Sequence, residues 1–233
     1  MLSAFICGCG HSGTSLLANM FAAHPRVHIP LRETAMFFRR SPGMRLKYFQ
    51  ALTLLRGKRL FVEKTPRHVE RVEMIRKVAP QSKIILIVRD GRDVAASIYK
   101  RTGNLDAALD RWIAAAEQVR EFEHRPGFTR VRYEDLIVRP EEELKRLCSF
   151  ADLDYSPSML RYHEKARMWF GTKQLRKGTG QDGQEHNDLR NWQINQPIFD
   201  GRGSWTSVLP DGAPARLTIG EGARLMRAFG YLP

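Results

Sequence analysis

Hydrophobic positions along this chain fall into two patterns. Short apolar runs at 4–6, 59–62 and 83–88, with a looser one at 128–133, are rich in Ile, Val, Leu and Phe and too brief for helices. Such runs suit parallel strands covered on both faces, and 83–88 reads as a central one. Between them apolar residues recur at helical spacing. Leu16, Leu17, Met20 and Phe21 line one face, and further helices are predicted over 67–78, 93–101, 105–122, 140–150 and near 218–229. Pro66 and Pro140 stand where a helix tolerates proline, and Glu141, Glu142 and Glu143 suit the positive end of a helix dipole. A short extended piece is expected at 27–30.

Strands alternating with helices predict an α/β chain: a P-loop-like three-layer fold with a central parallel sheet flanked by helices. At 233 residues it reads as a single domain, 1–233. The stretch 160–205 lacks either period and is expected to form irregular loops over the site. No apolar run approaches the ~20 residues that span a bilayer. The expectation is a soluble, cytoplasmic protein without stable membrane insertion.

A formal net charge of +13 points to anionic partners, and by itself admits nucleic acid, a membrane surface or a phosphorylated small molecule. The cations are scattered; Arg39, Arg40, Arg45 and Lys47 form the loosest cluster and read as a solvated helix face. No recognisable nucleic-acid module accompanies them, so no nucleic-acid partner is expected. Cys7, Cys9 and Cys148 make neither a disulfide framework nor a zinc pair, and read as reduced packing residues, with Cys7 and Cys9 on one side of a strand. No metal site is expected.

Two segments carry the chemistry. After the first strand, Gly8, Cys9, Gly10, His11, Ser12, Gly13, Thr14 and Ser15 form a glycine-bearing loop that opens a helix. A Walker loop, G-x-x-x-x-G-K-[ST], has the same glycine spacing, but Thr14 stands where its lysine would be. Backbone N–H groups at a helix start favour an anion all the same. The loop therefore suits a 5′-phosphate without suiting ATP hydrolysis. The second segment, 88–99, follows the strongest strand, which places Arg89 at the carboxyl edge of the sheet with Ser97 two turns into the next helix. Both can reach one phosphate, the arginine as a bidentate fork.

Taken together, CGCGHSGTSLL and VRDGRDVAASIY resemble the 5′-phosphosulfate loop and the 3′-phosphate motif of the sulfotransferases that use 3′-phosphoadenosine 5′-phosphosulfate (PAPS). RYEDLIVRPEEELKRLCSFADL is similar to the segment that follows in that family. The resemblance implies PAPS as donor and PAP as product, with no metal. It implies donor contacts from Gly10, His11, Ser12, Gly13, Thr14, Ser15, Arg89 and Ser97. HPRVHIPLRETAMFF and FVEKTPRHV resemble the heparan-type carbohydrate sulfotransferases, which by position makes Glu33 the general base and Lys64 a sulfonate-facing cation. Glu63 is the competing base, although in a strand it points away from Lys64. His11 stands where many members carry Arg or Lys. GRGSW near the end resembles a late 3′-phosphate segment through Arg202, with Lys173, Arg176 and Lys177 as substitutes.

The implied reaction moves a sulfonate to a hydroxyl, less readily an amine, of a small metabolite, glycan or lipid acceptor. The competing readings are a P-loop kinase or NTPase and a non-catalytic anion or nucleic-acid binder. Trp169, Trp192 and Trp205 are available to stack on adenine or to line the acceptor site. The oligomeric state is left open.

Overall fold

The structure is a computed structural model that describes residues 2–170, 175, 177, 183–210, 212 and 215–233. Five parallel strands form one sheet: β1 (Leu2–Gly8), β2 (Val27–His28), β3 (Leu60–Lys64), β4 (Lys83–Val88) and β5 (Phe128–Arg132), in the order β2-β3-β1-β4-β5. In chain order the helices are α1 (Thr14–Ala22), α2 (Pro42–Leu55), α3 (Val72–Val78), α4 (Gly91–Thr102), α5 (Leu105–Phe122), α6 (Tyr133–Val138), α7 (Pro140–Phe150), α8 (Gly183–Ile194), α9 (Ala215–Thr218) and α10 (Gly220–Ala228).

Strand β1 is the middle strand and β4 lies beside it, so the run at 83–88 is one place off centre. Alternate residues feed two cores. Phe5, Ile84 and Leu86 pack with Trp112, Val119 and Leu225 on one face, while Ile6, Ile85 and Ile87 pack with Leu17, Phe21 and Leu147 on the other. Burial of each such side chain contributes about 1.5–3 kcal/mol, which fixes the strand ends against the helices that carry the site. Cys7 and Cys9 belong to the same core face, and all three cysteines are free and buried. Burial pushes the Cys9 and Cys148 thiols up to about 12, so they stay protonated and inert.

From β1 the chain crosses to β3 on one side, whereas β4 leads to β5 on the other. The order therefore reverses between β1 and β4, and an open α/β sheet has its crevice outside the strand ends at that point. The two strands close tightly there. A Cβ on Gly8 would lie 2.3 Å from the Ile87 carbonyl oxygen, so position 8 admits only glycine.

Two stretches differ from expectation. The segment 160–205 is not all irregular: α8 occupies Gly183–Ile194. Its inward residues include Asp188 and Asn191, buried polar groups, with buried Asn195 just past its end, so the helix has no apolar period to read. Asn191 Oδ1 accepts from the Trp169 N–H at 2.8 Å, and Asn19 Nδ2 donates to the Ile194 carbonyl at 2.8 Å, which fastens α8 across α1. Helix α2 carries Arg45 and Lys47 of the cluster read as a solvated helix face, and both are exposed upon it. The predicted helix 67–78 is divided into a tight turn, Pro66–Arg71, and α3.

Candidate active site

The loop after β1 turns sharply before entering α1. Gly13 (φ 91°) and His11 (φ 71°) are both left-handed, and the Ser12 N–H returns to the Cys9 carbonyl at 3.2 Å. Gly13 is required twice over, by its φ and because a Cβ would lie 2.6 Å from the Tyr133 ring. Thr14 and Ser15 form the first turn of α1 and are buried. The N–H groups of this turn have no partner within the helix and face the crevice with the positive end of its dipole.

At the end of β4, Arg89 is held from several sides. One Nη donates to the Gly201 carbonyl at 2.7 Å and the other to the His11 carbonyl at 3.4 Å, while the guanidinium lies 4.5 Å over the Tyr133 ring. Asp93 approaches it at 3.7 Å and also accepts from the Gly203 N–H, the Ser204 hydroxyl and the Trp205 N–H at 3.0–3.1 Å. One buried carboxylate thus ties the late GRGSW segment to the second motif. The Ser97 Oγ lies 2.8 Å from His11 Nδ1, so Arg89, Ser97 and the loop meet at His11.

Burial and the cations Arg190, Arg101 and Arg111 push the His11 imidazole well below its ordinary range. It is neutral at physiological pH and offers one N–H. Arg190, from α8, lines the space on both sides of His11, and Arg101 and Arg111 line the side toward Glu33. None of the three was anticipated. Arg190 had no signal because its helix had none, and Arg101 and Arg111, on α4 and α5, belong to neither motif. Arg111 closes over Gly10, where a Cβ would lie 2.9 Å from its guanidinium.

A cleft of about 360 Å³ runs from Gly10 and His11 past Thr14 and Ser15 to Glu33, walled by Trp169, Phe170, Arg67 and Arg190. Glu33 is the acidic group facing it, and Lys64 Nζ holds its Oε1 at 2.7 Å. The Lys64 side chain is 0% exposed against 43% for Glu33, with its ammonium 5.4 and 5.5 Å from the Trp169 and Phe170 rings. Lys64 therefore reaches the cleft through Glu33 and not by opening onto it. Desolvation pushes its pKa below the ordinary lysine value despite the pull of Glu33.

Glu63 points the other way and is sealed in. It accepts from the Thr34 N–H at 3.2 Å, the Thr34 hydroxyl at 2.8 Å and the Thr65 hydroxyl at 2.6 Å, and pairs with His68 at 2.9 Å. Burial opposes its charge, but these donors win and hold the carboxyl below its ordinary value. An ionised, fully paired and inaccessible carboxylate cannot take a proton from an acceptor. Its place is to fix the turn at 34–35 that presents Glu33.

Arg202 lies elsewhere: its guanidinium and N–H engage Asp200, and both side chains are about half exposed. The Gly201 carbonyl is the part of that segment that reaches Arg89. Lys173 and Arg176 lie outside the described residues, and Lys177 stands 5.6 Å over Trp192. Trp205 carries Arg92 at 5.0 Å. Of the three tryptophans, Trp169 alone lines a space at the loop; the enclosed space beside Arg89 has Tyr133, Tyr162 and Phe199 as its aromatic walls.

Residues 45–157 match the sulfotransferase family. That match takes in just under half of the chain. Its fold is that of the sulfotransferase domain from the Synechococcus PCC 7002 olefin synthase (TM-score 0.72, 18% identity, 100% of this chain and 96% of that one). Mouse sulfotransferase SULT7A1, solved with PAP, has a TM-score of 0.58 at 16% identity, over 98% of this chain and 89% of that one. A Caenorhabditis briggsae protein named as a protein-tyrosine sulfotransferase is 35% identical over 103 residues, covering 39% of this chain and 36% of that one. The chain spans less than half the length of the curated relatives it matches. The two segments that resemble sulfotransferase motifs are the two that meet at His11. The kinase reading loses its second support as well as its lysine, because Asp90 at the end of β4 is spent on Arg92 at 2.6 Å and on the α4 N-terminus.

Proposed function

We propose that this chain is a PAPS-dependent sulfotransferase that moves a sulfonate to a hydroxyl. The observation that carries the reading is the set of unfilled donors at the crevice. Ser12 Oγ and Arg89 Nε are buried and have no hydrogen-bond partner among the described residues. A buried donor left unmade costs about 1–3 kcal/mol, and phosphate oxygens on the loop and at Arg89 would remove that cost. The residues present therefore fit the donor. Gly10, His11, Ser12, Gly13, Thr14 and Ser15 would hold its 5′ end, Arg89 and Ser97 its 3′-phosphate, and Tyr133 and Phe199 would wall its base. Arg202, turned to Asp200, is at most a screening charge for the 3′-phosphate.

The donor supplies a sulfonate on an activated phosphosulfate anhydride. Glu33 takes the acceptor hydroxyl proton as the acceptor oxygen bonds to sulfur and the anhydride oxygen departs on PAP. His11 donates one neutral hydrogen bond to the sulfonate, and Arg111 and Arg190 provide the positive field that a neutral histidine lacks. Lys64 fixes Glu33 from beneath.

The acceptor is a small molecule, glycan or lipid hydroxyl on the reading of the heparan-like segments. A protein tyrosine is the second reading. It is favoured by the names of the curated relatives and by the aromatic wall of Trp169 and Phe170 beside the cations of the cleft. Labelled PAPS offered with sugar, lipid and tyrosine-peptide acceptors separates the two. Glu33→Gln should depress transfer by about 10²–10⁴-fold with PAP binding retained. Wild-type turnover in Glu33→Gln would remove Glu33 as the base.

A further inference from the structure

Helix α2 presents its apolar side to solvent. At 3.6 residues per turn, Met44, Tyr48, Ala51 and Leu55 fall within an arc of about 60°, directly opposite the buried Leu46 and Thr53. Met44 is 68% exposed, Tyr48 62% and Leu55 86%, with Leu54 at 65% on the flank. A solvent-facing stripe of this kind is the reverse of an ordinary surface helix, whose outer face is polar. The charge around it has one sign. Every charged residue from Thr34 to Val62 is Lys or Arg. Arg45 and Lys47 flank the stripe, and Arg56 and Arg59 follow its C-terminal end, all of them exposed.

We propose that α2 is a peripheral docking surface for an anionic membrane, with Met44, Tyr48 and Leu55 entering the interface and Arg45, Lys47, Arg56 and Arg59 meeting lipid phosphates. Charge selects this occupant. A partner protein or second copy would have to offer an acidic, apolar-centred face, whereas an anionic leaflet supplies both layers, negative above and apolar below. Adsorption needs no spanning segment, and among the described residues no helix is long and apolar enough to cross a membrane. The position also has a consequence. Helix α2 follows directly on the segment from Glu33 to Phe38, and Arg67 at the cleft lies 4.9 Å over Phe38. Docking through α2 would bring the mouth of the cleft close to the lipid surface. The inference rests on α2 alone and stands whether or not the donor reading does.

The test is sedimentation of the purified chain with phosphatidylcholine vesicles containing phosphatidylserine, against pure phosphatidylcholine, at low and high salt. The wild type should bind the anionic vesicles and be released by salt, as screened phosphate contacts require. Met44→Ser/Leu55→Ser, with its folding checked by Tm, should bind at least about tenfold more weakly, since each loses a buried apolar side chain. Arg45→Gln/Lys47→Gln should also weaken binding. Failure of the wild type to bind anionic vesicles would overturn the proposal, as would equal binding by the serine variant. A dimer in light scattering that the serine variant dissolves would assign the stripe to a second copy instead.

Discussion

Replacing Lys64 with methionine separates what its charge does for folding from what it does for the site. At 2.7 Å from Glu33, the pair attracts by about 6 kcal/mol at an effective dielectric of 20. Taking the ammonium out of water costs several kcal/mol, and the lowered Lys64 pKa shows that desolvation is the larger of the two. The charge is therefore no net support to the fold. Methionine keeps the length and packs as well between Trp169 and Phe170, and the Glu33 side chain, 43% exposed, is free to hydrate. Stability should change by less than about 1 kcal/mol, a Tm shift within about 2–4 °C for a chain of this size. Turnover should fall by about 10²-fold, the usual loss when a reacting group is no longer held in place, with PAP affinity unchanged. Thermal unfolding, calorimetry with PAP and initial rates on one preparation measure all three. A Tm loss beyond about 10 °C would show that the ion pair supports the fold, and unchanged turnover would show that Glu33 needs no positioning.

Other outcomes follow from the loop. Gly13→Ala should lower stability by about 1–3 kcal/mol and abolish PAP binding, because the new Cβ must displace Tyr133 and with it Arg89; a normal Tm with normal binding would refute the packing argument. His11 is neutral in the folded chain below the pH at which the unfolded chain takes up a proton. The unfolded state therefore binds more protons as pH falls below the ordinary histidine value of about 6.5, and stability drops there by up to about 1.4 kcal/mol per pH unit. His11→Asn, which tolerates the left-handed backbone, should flatten that slope by about one proton's worth in urea melts at several pH values. An unchanged slope would mean that His11 is protonated in the fold.

The strands and helices with a single buried period were legible from the sequence. Strand β4 and helices α5 and α7 have the predicted bounds. Helix α2 was not legible because apolar residues occupy both its faces, nor was α8, because its buried side is polar. At the site, spacing and strand context placed the loop and Arg89 side by side at the sheet edge, and period-two alternation separated Glu63 from Lys64. Arg190, Arg111 and the Asp93 clamp join residues about 100 to 180 positions apart and leave no local pattern. The burial of Lys64 likewise depends on Trp169 and Phe170, about a hundred residues away. Resemblance supplied its position but not its posture.

The central claim is that the crevice between β1 and β4 holds PAPS through the loop and Arg89. Calorimetric titration of wild type and Arg89→Ala with PAP, beside ATP with magnesium, tests it most directly. PAP should bind the wild type more tightly than ATP does. Arg89→Ala, with its Tm checked, should weaken PAP by about 1.5–3 kcal/mol, or roughly 10- to 150-fold. ATP binding as tight as PAP, or PAP affinity indifferent to Arg89, would contradict it.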